Sequence, residues 1–178
     1  EITQEPYFGY MRGRYSQKEL KDIVAYCGKK GMEVIPCIQT LAHLNQAVRW
    51  YPYNEFTDCH DILLVGDDRT YALIDKMFAT MRECFDSEYI NIGMDEALFV
   101  GLGKYLEKNG YRNRFEIINE HLAKVVEIAK KYNFKPTMWS DMFFRLANNG
   151  TYTCKNPKEV PEEVRNKVPS EVALIYWD

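Results

Sequence analysis

Hydrophobic positions along the chain alternate between helical and strand-like spacing. Ser16 and Glu19 form the sequence of a capping box, and the apolar residues behind them recur at a helical period until Gly31. A short, largely apolar run then has the length of a buried strand. The pattern repeats, with further helices predicted to open at Asp68 and Asn113, an irregular stretch between residues 40 and 67, and strands near 32–39, 89–94, 136–140 and 172–177.

Four strands separated by helices, without hairpin signals between them, indicate parallel β-α-β units. We therefore predict an α/β fold in which the four strands are parallel and adjacent in chain order, with helices outside. A doubly wound open sheet and part of a (β/α)₈ TIM barrel both fit this pattern. A complete barrel needs about 250 residues, and the chain has 178 and stops on a strand. We expect residues 1–178 to be a single partial domain, truncated at both ends, with exposed apolar sheet edges covered by association, for example of identical copies.

Composition narrows the classes of partner and the compartment. The 23 basic and 26 acidic residues give a net charge of −3, which argues against a nucleic-acid surface or an acidic membrane surface. No apolar run approaches the roughly 20 residues of a membrane span, and residues 1–6 resemble no signal peptide. The five cysteines are odd in number and form no C-x-x-C, so neither a disulfide framework nor a zinc site is predicted. A reducing compartment, the cytoplasm, is the expectation.

Polar residues follow the carboxyl end of every predicted strand, which is the end at which parallel α/β folds bind ligands. They are Gln39, Thr40, His43 and Asn45 after the first strand, Asp95 and Glu96 after the second, Ser140 and Asp141 after the third, and Asp178 after the fourth. Helix capping is the competing explanation for most of them. It is weakest for Glu96, because Glu is a poor N-cap residue.

The adjacent carboxylates of Asp95 and Glu96 carry the most chemical information. A carboxylic acid held protonated near neutral pH can donate a proton to a leaving group, while its ionised neighbour offsets positive charge. A solvated strand end is the alternative. Trp139 and Trp177 could stack against a sugar or fill the core, and His43 could orient a carboxylate or be a loop residue. The sequence contains no metal-binding or cofactor-binding motif, and no cofactor is expected.

These residues resemble the motifs of glycoside hydrolase family 20, the exo-acting β-N-acetylhexosaminidases. Residues 91–96, Asn-Ile-Gly-Met-Asp-Glu, are similar to the family signature, a polar residue and then x-Gly-x-Asp-Glu at the end of its fourth barrel strand. Residues 34–43 are similar to the third-strand motif V-I-P-E-I-D-x-P-G-H. The resemblance extends to the fifth and sixth strands through Trp139 with Asp141 and Trp177 with Asp178.

The third-strand segment departs from the commoner form of its motif. Cys37, Gln39, Leu41 and Ala42 stand where that form has Glu, Asp, Pro and Gly. This resembles the divergent branch of cytosolic-type hexosaminidases that lack signal peptides, in keeping with the cysteine content. The departures bear on substrate preference more than on reaction type.

The resemblance implies barrel strands three to six and a substrate-assisted retaining mechanism acting on a terminal GlcNAc or GalNAc. The 2-acetamido oxygen of the sugar would attack the anomeric carbon. Glu96 would protonate the leaving oxygen and later deprotonate water, and Asp95 would accept the acetamide N–H. The remaining implied substrate-binding residues are His43, which would lie near Glu96, and Trp139, Asp141, Trp177 and Asp178.

Two alternatives remain open from the sequence. In an ordinary two-carboxylate glycosidase, Glu96 would be the acid and Asp141 or Asp178 the second carboxylate. In a catalytically silent sugar-binding module, the same scaffold would hold a sugar without cleaving it. The intact pair of adjacent carboxylates speaks against the silent module, because binding alone needs no proton donor.

Overall fold

The computed structural model describes residues 2–147, 150–152 and 161–177. Helix α1 (Gln17–Gly28) begins at the predicted capping box, in which the Ser16 hydroxyl accepts the Glu19 N–H at 3.2 Å and the Glu19 carboxylate accepts the Ser16 N–H at 2.7 Å. No residue of α1 is buried. The helix packs on α3 (Asp68–Cys84) at the margin of the molecule.

The parallel sheet has the predicted strand order. Its members are β3 (Tyr89–Asn91), β4 (Lys135–Trp139) and β5 (Ala173–Ile175). The first predicted strand contributes a shorter pairing through residues 36–40, which we call the edge segment. Its Ile38 N–H donates to the Asn91 carbonyl oxygen, and the Asn91 N–H donates to the Pro36 carbonyl oxygen, both at 2.9 Å. The predicted parallel order of the four segments is therefore confirmed.

One of the two long helices packs directly on the sheet. Helix α5 (Arg114–Lys131) is capped by Asn113, as the sequence predicts, and packs against both α3 and β4. The apolar residues that recur at a helical period along α5 are all buried, namely Ile117, Ile118, Leu122, Val125, Val126 and Ala129. The helical period of the hydrophobic positions was therefore sufficient to orient this helix.

Several short elements escaped the sequence pattern. The stretch predicted to be irregular contains α2 (Asn45–Val48), a 3₁₀ helix (Tyr51–Phe56) and an antiparallel hairpin of β1 (Thr57–Cys59) and β2 (Ile62–Leu63). Further short helices are α4 (Lys104–Asn109), α6 (Asp141–Ala147) and α7 (Glu162–Arg165). Elements of two to seven residues are too short to show a period. The hairpin turn also lacks an Asn-Gly or Asp-Gly signal. The residue with left-handed backbone in this turn is His60.

Both sheet edges expose apolar side chains, as predicted. Ile35, just before the edge segment, is 48% exposed, and Leu174 on β5 is 38% exposed. The predicted covering of these edges by association stays a prediction. No helix among the described residues combines the length and apolar content needed to cross a membrane.

A buried histidine ties helix α5 to the edge segment. The Nε2 of His121 lies 2.9 Å from the Thr40 carbonyl oxygen, and Nδ1 lies 3.4 Å from the Tyr71 hydroxyl. Because a carbonyl oxygen can only accept, the His121 proton is on Nε2. Burial lowers the pKa of His121 to about 4, partly opposed by the hydrogen bond to Thr40.

This pKa predicts a loss of stability in mild acid. The unfolded-state pKa of histidine is about 6.5, so between about pH 6.5 and 4 the unfolded chain binds more protons than the folded chain. The stability that depends on the neutral ring is complete above this window and is lost as the pH falls through it. We expect His121 alone to lower the free energy of unfolding by roughly 3 kcal/mol across the window, measured by urea denaturation at several pH values.

Two variants isolate the contribution of His121. His121→Gln removes the titrating group and keeps an amide donor for Thr40, so its free energy of unfolding should change less with pH than that of the unsubstituted protein. His60→Asn is the control, because His60 is exposed and Asn tolerates its left-handed backbone. An unchanged pH dependence in His121→Gln would contradict the prediction.

Candidate active site

The predicted site residues converge at the carboxyl end of the parallel sheet. Asp95 and Glu96 lie just beyond β3, at the end of a turn in which Gly93, Met94 and Glu96 have φ values of +69°, +68° and +52°. Left-handed backbone of this kind is costly for residues other than glycine and is held in place by its surroundings. Here Met94 is fully buried, while the Glu96 side chain reaches the surface.

His43 bridges the two carboxylates. Its Nε2 lies 3.2 Å from Asp95 Oδ2 and 3.6 Å from Glu96 Oε2. Its backbone is also left-handed, with a φ of +58°. The structure thus brings together the three residues that the sequence placed after two different strands.

Gln39 holds the other oxygen of Asp95. Its Nε2 donates to Asp95 Oδ1 at 2.8 Å, and its Oε1 accepts the Met94 N–H at 3.3 Å. A carboxylate at position 39, as in the commoner family motif, could not donate this hydrogen bond while ionised. Asp95 therefore has one polar partner on each oxygen, His43 and Gln39, and its side chain is only 16% exposed.

Asp141 contacts the backbone of Glu96 from the buried side of the site. Its side chain is fully buried, and Oδ2 accepts the Glu96 N–H at 2.9 Å and the Arg145 Nε–H at 3.2 Å. Burial raises the pKa of Asp141, and Asp95 adds to this, whereas the Glu96 N–H and Arg145 oppose it. The Asp141 carboxylate therefore contacts the Glu96 backbone and Arg145, and its expected contact with the substrate stays a prediction.

Arg145 is the site residue that the sequence analysis missed. Its Nη2 lies 3.2 Å from Glu96 Oε1, and its side chain is 18% exposed. Arg145 lies one helical turn after Asp141 on α6, so the spacing Asp-x-x-x-Arg was a usable signal. The buried Asp141 carboxylate thus binds both the backbone of Glu96 and the cation that contacts its side chain.

The two predicted tryptophans lie at neighbouring strand ends. The Trp139 N–H donates to the Gly93 carbonyl oxygen at 3.2 Å. The Trp177 ring lies 4.9 Å from the ring of Tyr152, and the Trp177 N–H donates to the Tyr152 hydroxyl at 2.9 Å. Both indoles are half-buried, and their contact with a sugar stays a prediction. Asp178 lies outside the described residues.

The described part of the site holds no group of side chains arranged as a metal site. Within residues 2–147, 150–152 and 161–177, no three His, Cys, Asp or Glu side chains are placed to hold a metal ion. The polar cluster instead consists of two accessible carboxylate-bearing residues, a histidine, an amide and a buried ion pair. Such a cluster can exchange protons with a ligand and accept a hydrogen bond from it.

Comparison with known proteins identifies relatives over the whole chain. The family model described as glycosyl hydrolase family 20, catalytic domain, matches residues 4–176. A beta-N-acetylhexosaminidase of Cellulomonas fimi is 30% identical over 110 residues, covering 56% of this chain and 22% of the relative. Hexosaminidase D of Bos taurus is 23% identical over 190 aligned residues, covering 97% of this chain and 51% of the relative.

Solved structures share the fold. A beta-N-acetylhexosaminidase of Bacteroides fragilis matches with a TM-score of 0.71 at 22% identity, over 100% of this chain and 35% of that one. A GH20 exo-beta-N-acetylglucosaminidase of Vibrio harveyi, solved with N-acetylglucosamine, matches with a TM-score of 0.70 at 18% identity, over 100% of this chain and 31% of that one. The predicted fold class, part of a (β/α)₈ barrel, is confirmed.

Gly93 is predicted to be indispensable to the site. A Cβ there would overlap Gln39 Oε1 and lie 2.9 Å from the Ile38 carbonyl oxygen, on backbone that is left-handed. Because the Ile38 contact is with backbone, a side-chain rotation cannot relieve it. We expect Gly93→Ala to lower the free energy of unfolding by about 2–5 kcal/mol, the sum of conformational and overpacking costs. Urea denaturation measures the change.

Gly31→Ala is the matched control. Gly31 has a φ of +73°, close to that of Gly93, but a Cβ there would meet no atom within 4 Å. The control should carry only the conformational cost of about 1–2 kcal/mol. Equal losses in the two variants would show that the approach of Gln39 and the edge segment does not constrain position 93.

Proposed function

The chain belongs to glycosyl hydrolase family 20, and we propose that the protein containing it is a glycosidase that removes terminal β-linked GlcNAc or GalNAc by exo-acting, retaining hydrolysis. The chain spans between about a fifth and a half of the curated relatives described above. The proposed activity of the whole protein is therefore argued from the geometry of the site. The observation that carries the proposal is that the two adjacent carboxylates have different surroundings. The Glu96 side chain is 42% exposed, whereas the Asp95 side chain is only 16% exposed.

Glu96 is the proposed acid and base. Its side chain is 42% exposed, so a substrate can reach it, and His43 and Arg145 each hold one of its oxygens. In the first step protonated Glu96 gives its proton to the glycosidic oxygen while the substrate acetamide oxygen bonds to the anomeric carbon and the aglycone leaves as an alcohol. In the second step Glu96 takes a proton from the water that attacks the same carbon, while the bond between that carbon and the acetamide oxygen breaks and restores the acetamide.

Asp95 is the proposed partner of the acetamide group. An ionised carboxylate offers about four lone-pair sites, and Gln39 and His43 each occupy one. Room remains for the acetamide N–H, and the carboxylate charge offsets the positive charge of the oxazolinium intermediate. The two flanking contacts restrict rotation of Asp95, which favours a single orientation of the acetamide oxygen toward the anomeric carbon.

The position of Asp141 argues against the two-carboxylate alternative. A nucleophile or an inverting base must face the sugar or a water beside it, whereas the Asp141 carboxylate is fully buried against Glu96 N–H and Arg145. Asp178, the other candidate, is outside the described residues. The exposed and supported proton donor likewise argues against a silent sugar-binding module.

The remaining expectations belong to the same proposal. His43, Trp139, Trp177 and Asp178 contribute substrate contacts around the sugar, within a single partial catalytic domain of residues 1–178. The protein is proposed to be cytoplasmic, which the four unpaired cysteines of the described residues support. Association of identical copies, without nucleic-acid or membrane partners, completes the proposal.

Dependence on the acetamide group tests the mechanism. We expect the whole protein to release p-nitrophenol from the β-N-acetylglucosaminide or β-N-acetylgalactosaminide and to show negligible release from the β-glucoside. The physical reason is that the acetamide oxygen replaces a protein nucleophile. Initial rates at matched concentrations measure this. Comparable rates on the β-glucoside would reject substrate assistance.

Replacing each of the two carboxylates by its amide should change kcat/KM in different ways. Glu96→Gln removes the proton donor, so kcat/KM should fall about 10²–10⁴-fold for a disaccharide and less for the p-nitrophenyl substrate, whose leaving group needs little protonation. Asp95→Asn leaves the acid in place but removes the charge that faces the intermediate. Its losses on the two substrates should therefore be similar.

The comparison of the two variants is the decisive measurement. Lys124→Asn is the control, since Lys124 lies on the exposed side of α5 and pairs only with Glu127 among the described residues. If Asp95→Asn rather than Glu96→Gln shows the stronger dependence on the leaving group, the two roles are reversed.

A further inference from the structure

A groove with two arginines adjoins the proposed acid. It encloses about 270 Å³ and is lined by Leu98, Phe99, Leu102, Arg114, Arg145, Leu146 and Gly150. Arg145 contacts Glu96 directly, and Leu98 follows Glu96 by two residues, its N–H donating to the Glu96 carbonyl oxygen at 2.7 Å. The groove therefore adjoins, through Arg145, the side chain that would protonate the leaving oxygen.

The charge of the groove is unbalanced. The Arg145 charge is offset by Asp141 and Glu96. Arg114 contacts no carboxylate among the described residues; its Nη1 donates to the Leu98 carbonyl oxygen. A guanidinium has five N–H donors, so Arg114 keeps donors available for a ligand. Among the residues that the structure describes, no acidic side chain lines the groove.

The other walls of the groove are apolar. Phe99 is 53% exposed and Leu102 is 39% exposed. An aromatic ring beside a cation suits a ligand that has both an apolar face and a negative charge. The volume is slightly below the roughly 300–1,000 Å³ of pockets for drug-sized ligands, which leaves room for about one sugar ring.

We propose that this groove binds the leaving sugar of the substrate and that Arg114 selects a leaving sugar that carries a carboxylate, a hexuronic acid. The inference rests on the proposed function, because the general acid of a glycosidase lies on the leaving-group side of the scissile bond. Arg114 forms a charge-assisted, bidentate contact with the carboxylate, and Phe99 packs against the sugar face. A neutral sugar fits the groove but leaves the Arg114 charge unpaired.

Three substrates separate this inference from the function on which it rests. The first is the p-nitrophenyl N-acetylhexosaminide that the whole protein cleaves best. The others join the same hexosamine by a β1–4 bond to glucuronic acid or to glucose, which differ only in the carboxylate or hydroxymethyl group at C6. We expect kcat/KM to be roughly tenfold higher for the glucuronic acid disaccharide, as one charge-assisted hydrogen bond can supply.

Substitution of Arg114 tests whether this residue causes the preference for the glucuronic acid disaccharide. Arg114→Gln should lower the ratio of kcat/KM for the two disaccharides from roughly ten to about one, mainly through KM, and Arg114→Lys should retain part of it because a point charge replaces a planar fork. The preference should also shrink as sodium chloride is raised. Lys21→Gln, in the groove at the opposite end of the sheet, should leave the ratio unchanged.

The outcomes are distinguishable. Absence of cleavage of every p-nitrophenyl N-acetylhexosaminide would reject the proposed function itself. Normal cleavage without a preference for glucuronic acid would overturn the inference and leave the function intact. A preference that survives Arg114→Gln would also overturn it, as would an equal loss of kcat/KM on all three substrates, which would mark Arg114 as structural.

Discussion

Backbone hydrogen bonds that continue past the strand ends are the constraint on which the site depends. The Thr40 N–H donates to the Ile92 carbonyl oxygen, the Ile92 N–H to that of Thr137, and the Trp139 N–H to that of Gly93, at 2.8–3.2 Å. These bonds fix the axial register of three neighbouring segments. Because the segments are parallel, their carboxyl ends reach the same edge, and residues more than 50 positions apart in sequence meet there.

A left-handed turn then decides how the carboxylates are presented. On regular strand backbone, adjacent side chains point to opposite faces of the sheet. The positive φ values of Gly93, Met94 and Glu96 break that alternation, and both Asp95 and Glu96 come within reach of His43. The cost of this backbone is offset by the burial of Met94 and by the hydrogen bonds that Gln39 and Asp141 make to the turn.

The three carboxylates of the site differ in how deeply they are buried. Asp141 is buried, Asp95 is slightly exposed and Glu96 is open to solvent. Three carboxylates so close together would repel one another, and Arg145, His43 and the amide of Gln39 offset that repulsion. The arrangement separates three chemically similar groups by their surroundings alone: Asp141 is buried against Arg145, Asp95 has a polar partner on each oxygen, and Glu96 is open to solvent.

The sequence by itself determined the parallel α/β order, the capping of α1 and α5, the buried face of α5 and the strand-end location of His43, Asp95 and Glu96. These features follow from local period and local spacing. Only the tertiary structure decided that Asp141 is buried, that Arg145 contacts Glu96, that Gln39 lies across Gly93 and that residues 57–63 form a hairpin. The physical reason is that burial and the pairing of charges depend on which segments pack together, and one-dimensional spacing does not specify the distances between side chains on different strands.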